Sequence, residues 1–526
     1  MRLISTKLYS FSLGFIQSFS LLLTGLLFVS AFLFTCYAQD METQRVLTKW
    51  DNPFISLLGM AVFLAFIWCL VRRLPDKLLF LLILLWCLCA GGALILFGKT
   101  VPAADAMSVY SAAQALAEGD LSVIHPTDSY LSYYPQQVGL MAFFEALIHI
   151  WNLFSTGLPA YHFIKCFYVL LSCVIVLFQY KTARILFPNG QAGRICLLLM
   201  GANLPFLMYT SFVYGEIPSY AAASAGFYLL LCLLQKKGGS PDRNRKFFLG
   251  VGAAASLCIS VMLRKNSLIL VIAALILLFL EGLKARRKGL LFLALLCALS
   301  SFGILPLTQK VYELRSGSYL KEGVPAISYL AMGMQESSRG NGWYNGFNFN
   351  TYQETGMDKE ASSKRSLGAI RERLDYFSEH PAYAVSFYMG KHLSQWADGT
   401  YASRQATLAT FGGRQPFFDS LYVGELSRYY LGYCNIFQNM LYGGSFLFCL
   451  AEISRQKSKS LTDYLGLIGV VGGFLFHIFW EANARYIFTY GLLLAPCSAQ
   501  GISLTLEKLN HILQKIRRKT VQGGPQ

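Results

Sequence analysis

Apolar stretches of about 17–25 residues recur along this 526-residue chain, the length needed to cross the hydrocarbon core of a bilayer. Twelve passages are expected, at roughly 9–37, 53–71, 77–98, 161–181, 195–211, 218–235, 247–263, 267–283, 289–308, 437–454, 463–481 and 486–505. Hydrophobic residues make up 55% of the chain and charged ones 14%, against roughly 25% charged in a soluble domain. That composition excludes an ordinary soluble enzyme, and 40 Phe with 30 Tyr exclude a disordered chain. The net charge of +17 would suggest nucleic acid in a soluble protein; here basic residues have a better use in orienting membrane segments, and no nucleic-acid partner is expected.

The first run follows Lys7 and resembles a signal peptide, with Cys36-Tyr37-Ala38-Gln39 as a cleavage site, but it is far longer than a signal's apolar core and reads as a retained helix. Basic clusters then set the direction. Arg72, Arg73 and Lys77 follow the second passage, Lys181, Arg184 and Arg194 the fourth, and Lys236, Lys237, Arg243, Arg245 and Lys246 the sixth. Lys284, Arg286, Arg287 and Lys288 follow the eighth, Arg455, Lys457 and Lys459 the tenth, and Lys508, Lys515, Arg517, Arg518 and Lys519 the last. All fall on one side if both termini are cytoplasmic in a multi-pass plasma-membrane protein, with a bacterial membrane the preferred setting.

That alternation requires the apolar stretch 136–155 not to cross. It is expected to lie in the interface within one long outer loop, 99–160, since Glu145 and His149 interrupt it and Tyr133, Tyr134 and Trp151 suit that depth. A second outer loop, 309–436, carries 13 Lys/Arg against 12 Asp/Glu, so the basic excess belongs to the other side. Within it Lys359 to Phe377 reads as a helix, with Leu367, Ile370, Leu374 and Phe377 at spacing three and four, and Lys391 to Trp396 as a further helical piece. The expected fold is therefore an all-α polytopic membrane protein of about twelve transmembrane helices, with an interface helix and a small, mostly helical outer domain. Its parts are 1–76, two extra N-terminal helices; 77–308, the membrane core; 309–436, the outer domain; and 437–526, the last membrane helices and a basic tail. The thirteen cysteines lie mostly in apolar runs and imply no disulfide framework; Cys87 and Cys89 lack a second pair of zinc ligands. No Walker A, GxGxxG or HExxH pattern occurs.

Charged groups at the outer boundary are the informative ones, because burying charge near lipid is costly without a role. Asp105 follows the third passage and opens a helical stretch ending at Glu118-Gly119-Asp120. It reads either as an N-cap or as a general base taking a proton from an acceptor hydroxyl. Asp120 reads as a turn residue and Asp128 as a lesser candidate. Tyr133-Tyr134-Pro135-Gln136-Gln137 offers rings and amides that either anchor the interface helix or hydrogen-bond a sugar. Glu216 caps a helix or belongs to a site. Arg264 and Lys265, in a tight outer turn, oppose the basic bias; they snorkel to headgroups or bind a lipid-linked phosphate, the guanidinium as a fork and the ammonium as a point charge. Glu481 and Arg485, at spacing four, form an ion pair if helical, or else act with Tyr486 on a phosphate or acceptor. His477 reads as a satisfied core histidine.

Asp105 in a long first outer loop, the Tyr133 to Gln137 run, the outer Arg264-Lys265 and the Glu-x-x-x-Arg-Tyr run from Glu481 to Tyr486 together resemble the GT-C membrane glycosyltransferases. That class includes protein O-mannosyltransferases, the lipid A aminoarabinose transferase and the oligosaccharyltransferase catalytic subunit. The likeness covers about 77–505 and is strongest to bacterial members of unassigned substrate. It implies an inverting transfer from a polyprenyl-phosphate sugar to a glycan, lipid or protein acceptor of the cell envelope. In that scheme Asp105 is the catalytic base, and Tyr133, Tyr134, Gln136, Gln137, Glu216, Arg264, Lys265, Glu481, Arg485 and Tyr486 bind substrate. Ala104 and Ala106 flank Asp105 where some relatives have a second acid, so a divalent metal has no paired carboxylate to support it. The alternatives are a lipid-oligosaccharide flippase and an O-antigen ligase or polymerase. A flippase calls for internal repeats, none of which is evident; a ligase shares the large outer loop.

Overall fold

Asn52 and Pro53 show how one membrane passage starts. The Asn52 side chain accepts from the Phe54 N–H at 3.0 Å, and Pro53 occupies the first helical position, where no N–H is needed. Helix runs from there to Arg73, where the first basic cluster ends it. The computed structural model describes residues 2–39, 44–127, 129–154, 157–188, 190–235, 242–454 and 460–522; Asp128, Lys236, Lys237, Arg455, Lys457 and Lys459 lie outside them.

In chain order, α1 (Arg2–Leu33) leads into an antiparallel hairpin of β1 (Phe34–Ala38) and β2 (Val46–Trp50), with Phe34 opposite Trp50. Then come α2 (Pro53–Arg73), α3 (Asp76–Gly98), α4 (Asp105–Ala117), α5 (Tyr130–Tyr133), α6 (Val138–Asn152), α7 (Tyr161–Leu186), α8 (Ala192–Ala202) and α9 (Leu204–Tyr209). Next are α10 (Glu216–Leu234), α11 (Arg243–Leu263), α12 (Leu268–Ala285) and α13 (Lys288–Ser316). The segment expected as the outer domain, and so labelled below, holds α14 (Ala326–Met332), α15 (Phe347–Glu354), α16 (Lys359–Glu379), α17 (Pro381–Trp396), α18 (Ser403–Ala406) and α19 (Pro416–Tyr422). It is followed by α20 (Leu426–Ser454), α21 (Leu465–Phe479) and α22 (Ala484–Gln522). Eleven of the described helices are long and apolar enough to cross a membrane, so the chain is an all-α polytopic membrane protein.

Two expectations are corrected. The fifth passage, 195–211, is not one helix: Pro205 cannot continue the hydrogen-bond ladder, Asn203 caps the new start by accepting from Phe206 N at 3.0 Å, and the passage is made in two pieces, α8 and α9. The first helix stops at Leu33 rather than 37, because residues 34–38 pair as a strand. Helix α13 runs on to Ser316 and α20 starts at Leu426, so both helices carry into the range 309–436. The helix expected from Lys359 is present, but its inward face carries Ser362, Ser366, Ile370 and Phe377 while Leu367 and Leu374 are exposed. Arg373 stands over the Phe377 ring at 4.7 Å inside that small core.

The ends of the helices fix which loops share a side. Arg184, at the end of α7, and Arg194, in α8, both bind Asp76 at the start of α3, at 2.7 and 3.1 Å. Halfway along, the Trp86 indole donates to Gly201 O at 2.8 Å. At the far end the Thr100 hydroxyl donates to Ser211 O at 3.4 Å, and the Lys165 ammonium to Thr100 O at 2.9 Å. The α8–α9 pair thus runs the full length of α3, and everything between Gly98 and Tyr161 leaves and returns at one end of the bundle. The 15 residues of α6 span only about 22 Å, too short for the bilayer core. Glu145, its buried acid, receives hydrogen bonds from Tyr312 and Arg315 of α13, which satisfies the charge that interrupts the apolar run.

Candidate functional site

The turn before α10 brings the first charged group into place. A Cβ on Gly215 would lie 2.6 Å from Leu263 O and 3.5 Å from Arg264 Cβ, so only glycine lets the start of α10 touch the end of α11. Glu216 is therefore 1% exposed, and its Oε1 sits 2.6 Å from Arg264 Nη1 and 3.8 Å from Arg485 Nε. It does not cap a helix; Gly215 holds that position. One carboxylate between two guanidiniums leaves one positive charge over. Neither Glu216 oxygen, nor Arg264 Nη1 or Arg485 Nε, has an aligned hydrogen bond, so these pairs are held by charge and burial. The Arg485 guanidinium also lies over the Tyr214 and Phe212 rings, at 5.4 and 5.7 Å.

The expected ion pair between Glu481 and Arg485 does not form. Helix α21 ends at Phe479, residues 481–483 are extended, and the Asn483 side chain accepts from Arg485 N at 2.9 Å to start α22. Arg485 turns to Glu216 instead. Glu481 is held from the outer domain: Ala482 N donates to Gly342 O at 2.7 Å, and Trp343 bridges Ala482. Burial pushes the Glu481 carboxyl up to about 7, against the lowering effect of the Arg485 charge and a hydrogen bond from Tyr486.

Asp105 is not an N-cap. It is the first residue of α4, Ala104 holds the cap position at φ 48°, and no side chain caps that end. An alanine at positive φ is strained, and the Asp105 that follows it is exposed. The Asp105 charge acts on Tyr134, Tyr214, Glu481 and Arg485, so it stands at the same end of the molecule as these groups. Burial first, then this charge and its neighbours, raise the Tyr134 and Tyr214 hydroxyls, so both stay protonated and can donate. Gln137 donates to the Tyr214 hydroxyl.

Other expected residues divide. Tyr133 packs on Phe349 at 4.8 Å and its carbonyl accepts from Val324 N at 2.9 Å, so it anchors the outer domain. Gln136 is half-buried and Lys265 exposed, and neither has a side-chain hydrogen bond or ion pair among the described residues. Tyr486 supports Glu481 and stacks on His477 at 5.9 Å. His477 is buried as expected, beside the Tyr486 ring and the backbone of Glu481. Asp120 is a turn residue, accepting from Ser122 N at 2.9 Å.

No family model matches the chain, and no curated protein does. Solved structures that resemble it include the Archaeoglobus fulgidus oligosaccharyltransferase AglB. One, in complex with an inhibitory peptide and a dolichol-phosphate, is 14% identical, covers 86% of this chain and 53% of its own, and has a TM-score of 0.45. A second, tethered to an acceptor peptide, is 12% identical over 83% and 51%, with a TM-score of 0.44. The apo form is 14% identical over 84% and 52%, with a TM-score of 0.45. The chain spans about half the length of these proteins.

Sequence reasoning missed three buried cations among the described residues, Lys165, Arg404 and Lys391. Lys391, on α17, is 2% exposed and donates to Gly333 O. Burial lowers its ammonium to about 7, offset by the Glu481 charge. The signal was faint: a lysine in a short amphipathic helix normally lies on the wet face.

Proposed function

We propose that the protein is an inverting membrane glycosyltransferase, moving a sugar from a polyprenyl-phosphate to an acceptor on the outer face of a cell envelope. One observation carries this reading: Glu216 gathers Arg264 and Arg485 at the end of the bundle where Asp105 and Glu481 also stand. The surplus positive charge suits a single phosphate at the membrane boundary. Glu216 acts as a positioning residue, holding both guanidiniums while their other N–H groups remain for the ligand.

The acceptor hydroxyl attacks the anomeric carbon from the face opposite the phosphate. Its oxygen forms the new bond, its proton passes to Asp105, and the bond from the anomeric carbon to the phosphate oxygen breaks. The electron pair stays on the polyprenyl-phosphate, whose added charge Arg264 and Arg485 stabilise. Tyr134, Tyr214 and Gln137 donate to sugar hydroxyls. A one-sided cluster of this kind favours a transferase over a flippase, which needs its polar groups near mid-membrane.

The test is mass spectrometry of lipid co-purified with the protein, paired with transfer from a synthetic polyprenyl-phosphate sugar. The wild type should retain polyprenyl-phosphate, R264A and R485A should lose it, and D105N should retain it without transfer. Full retention in both arginine variants, or turnover in D105N, overturns the assignment.

A further inference from the structure

Lys391 does more than fill a gap in the outer domain. Its donation to Gly333 O ties α17 to the stretch 333–342, and its stem runs under Gly342, where an added Cβ would lie 2.8 Å from Lys391 Cδ and Cε. Both glycines are close approaches. A Cβ on Gly333 would collide with the Phe479 and Trp480 carbonyls, and Gly342 adopts φ 72°. The carbonyl of Gly342 is the acceptor for Ala482 N at 2.7 Å, and Tyr329 stacks flat on Trp480 at 5.2 Å. A continuous path therefore runs from the buried ammonium, through two glycines, to the turn holding Glu481.

We propose that Lys391 is a positioning residue that clamps the 480–482 turn, fixing Glu481 in place and charge from the outer domain. The inference rests on the transferase reading for its consequence, not for its geometry. The groups acting on Glu481 are Arg485 and Tyr486 of α22, Asp105 of α4, Arg339, Tyr329 and Tyr344 of the outer domain, Tyr134 before α6, and Lys391. His477 of α21 faces Lys391 and Arg264. Lys391 is the one nearly fully buried lysine in this set; Arg339 is half-buried. Removing its charge leaves the carboxylate less supported, and removing its hydrogen bond frees the loop beneath the turn.

Three variants separate these effects. K391M removes charge and donor, K391Q keeps a donor, and K391R keeps the charge. The primary readout needs no substrate: the carboxyl infrared band that disappears in E481Q is titrated with pH in detergent-purified full-length protein. K391M and K391Q should move that titration upward by about one unit, the size expected for loss of a nearby buried charge, and K391R should leave it in place. In transfer assays K391M should lower kcat at least tenfold with KM little changed. If K391M does not fold, K391Q alone decides the shift. An unmoved band in K391Q or K391M overturns the proposal even where D105N still abolishes transfer. A shifted band in a protein with no transferase activity sinks the functional reading and leaves the clamp standing.

Discussion

At the scale of single residues, Asp105 and Glu481 stand at the same end of the bundle in different surroundings. Asp105 is exposed beside a strained Ala104, and Glu481 is buried next to the Ala482 that bonds to Gly342. If Asp105 is the base proposed above, its replacement by an isosteric amide, D105N, should reduce transfer by about 10²–10⁴-fold in single-turnover assays while leaving thermal unfolding unchanged. Glu481 sets the pH response. Its folded carboxyl is raised to about 7, so acid below that value protonates it and removes a carboxylate charge that acts on the same end of the bundle as Arg485. Transfer should therefore fall as pH drops through about 7, and that limb should vanish from the pH–rate profile of E481Q. A limb that survives in E481Q assigns the titration elsewhere. Much of this constellation was legible from the chain alone, because Arg264 stood against the basic bias and Asp105 just beyond a membrane passage. The partners were not. Spacing four suggested that Arg485 served Glu481, whereas the extended backbone at 481–483 sends it to Glu216, 265 or more residues away in sequence from Glu481.

At the scale of elements, periodicity and length located nearly every membrane helix, since lipid demands both. They failed where a local rule overrode hydropathy. Pro205 and Asn203 divide one passage, and the Phe34 to Ala38 strand looks as apolar as the helix it follows. Helix α6 depends on a side chain outside itself. Arg315 supplies the charge that Glu145 needs, although that arginine side chain is 42% exposed. R315A should destabilise the protein by about 2 kcal/mol, below the usual cost of orphaning a buried partner because solvent screens part of the loss. Fluorescence-detected thermal unfolding should register it as a lowered midpoint, and R315A with E145Q together should recover part of that loss. If the double variant is no better than R315A alone, the two side chains are not energetically coupled.

At the scale of the whole molecule, the Arg184–Arg194 cluster and the candidate site occupy opposite ends of one bundle. Arg184 and Arg194 meet Asp76 at one end, while Lys165 and Ser211 meet Thr100 at the other, just before Asp105. Single cysteines at Asp105 and Lys265, in a background with the exposed Cys89 and Cys166 replaced by serine, should react with an impermeant maleimide from the same side of intact cells or vesicles. Labelling from opposite sides would break the shared compartment. The charge asymmetry made this arrangement readable in advance, whereas the joint between bundle and outer domain rests on glycine contacts that no hydropathy pattern announces.

That joint has a consequence for how such a molecule works. Ala482 finds its backbone acceptor on Gly342, in a different lobe of the protein. Lifting that lobe far enough to admit a bulky guest would strip the last turn of its support and dismantle the charge arrangement with it. A change confined to Gly342 would therefore be felt at the turn carrying Glu481 without replacing any charged side chain.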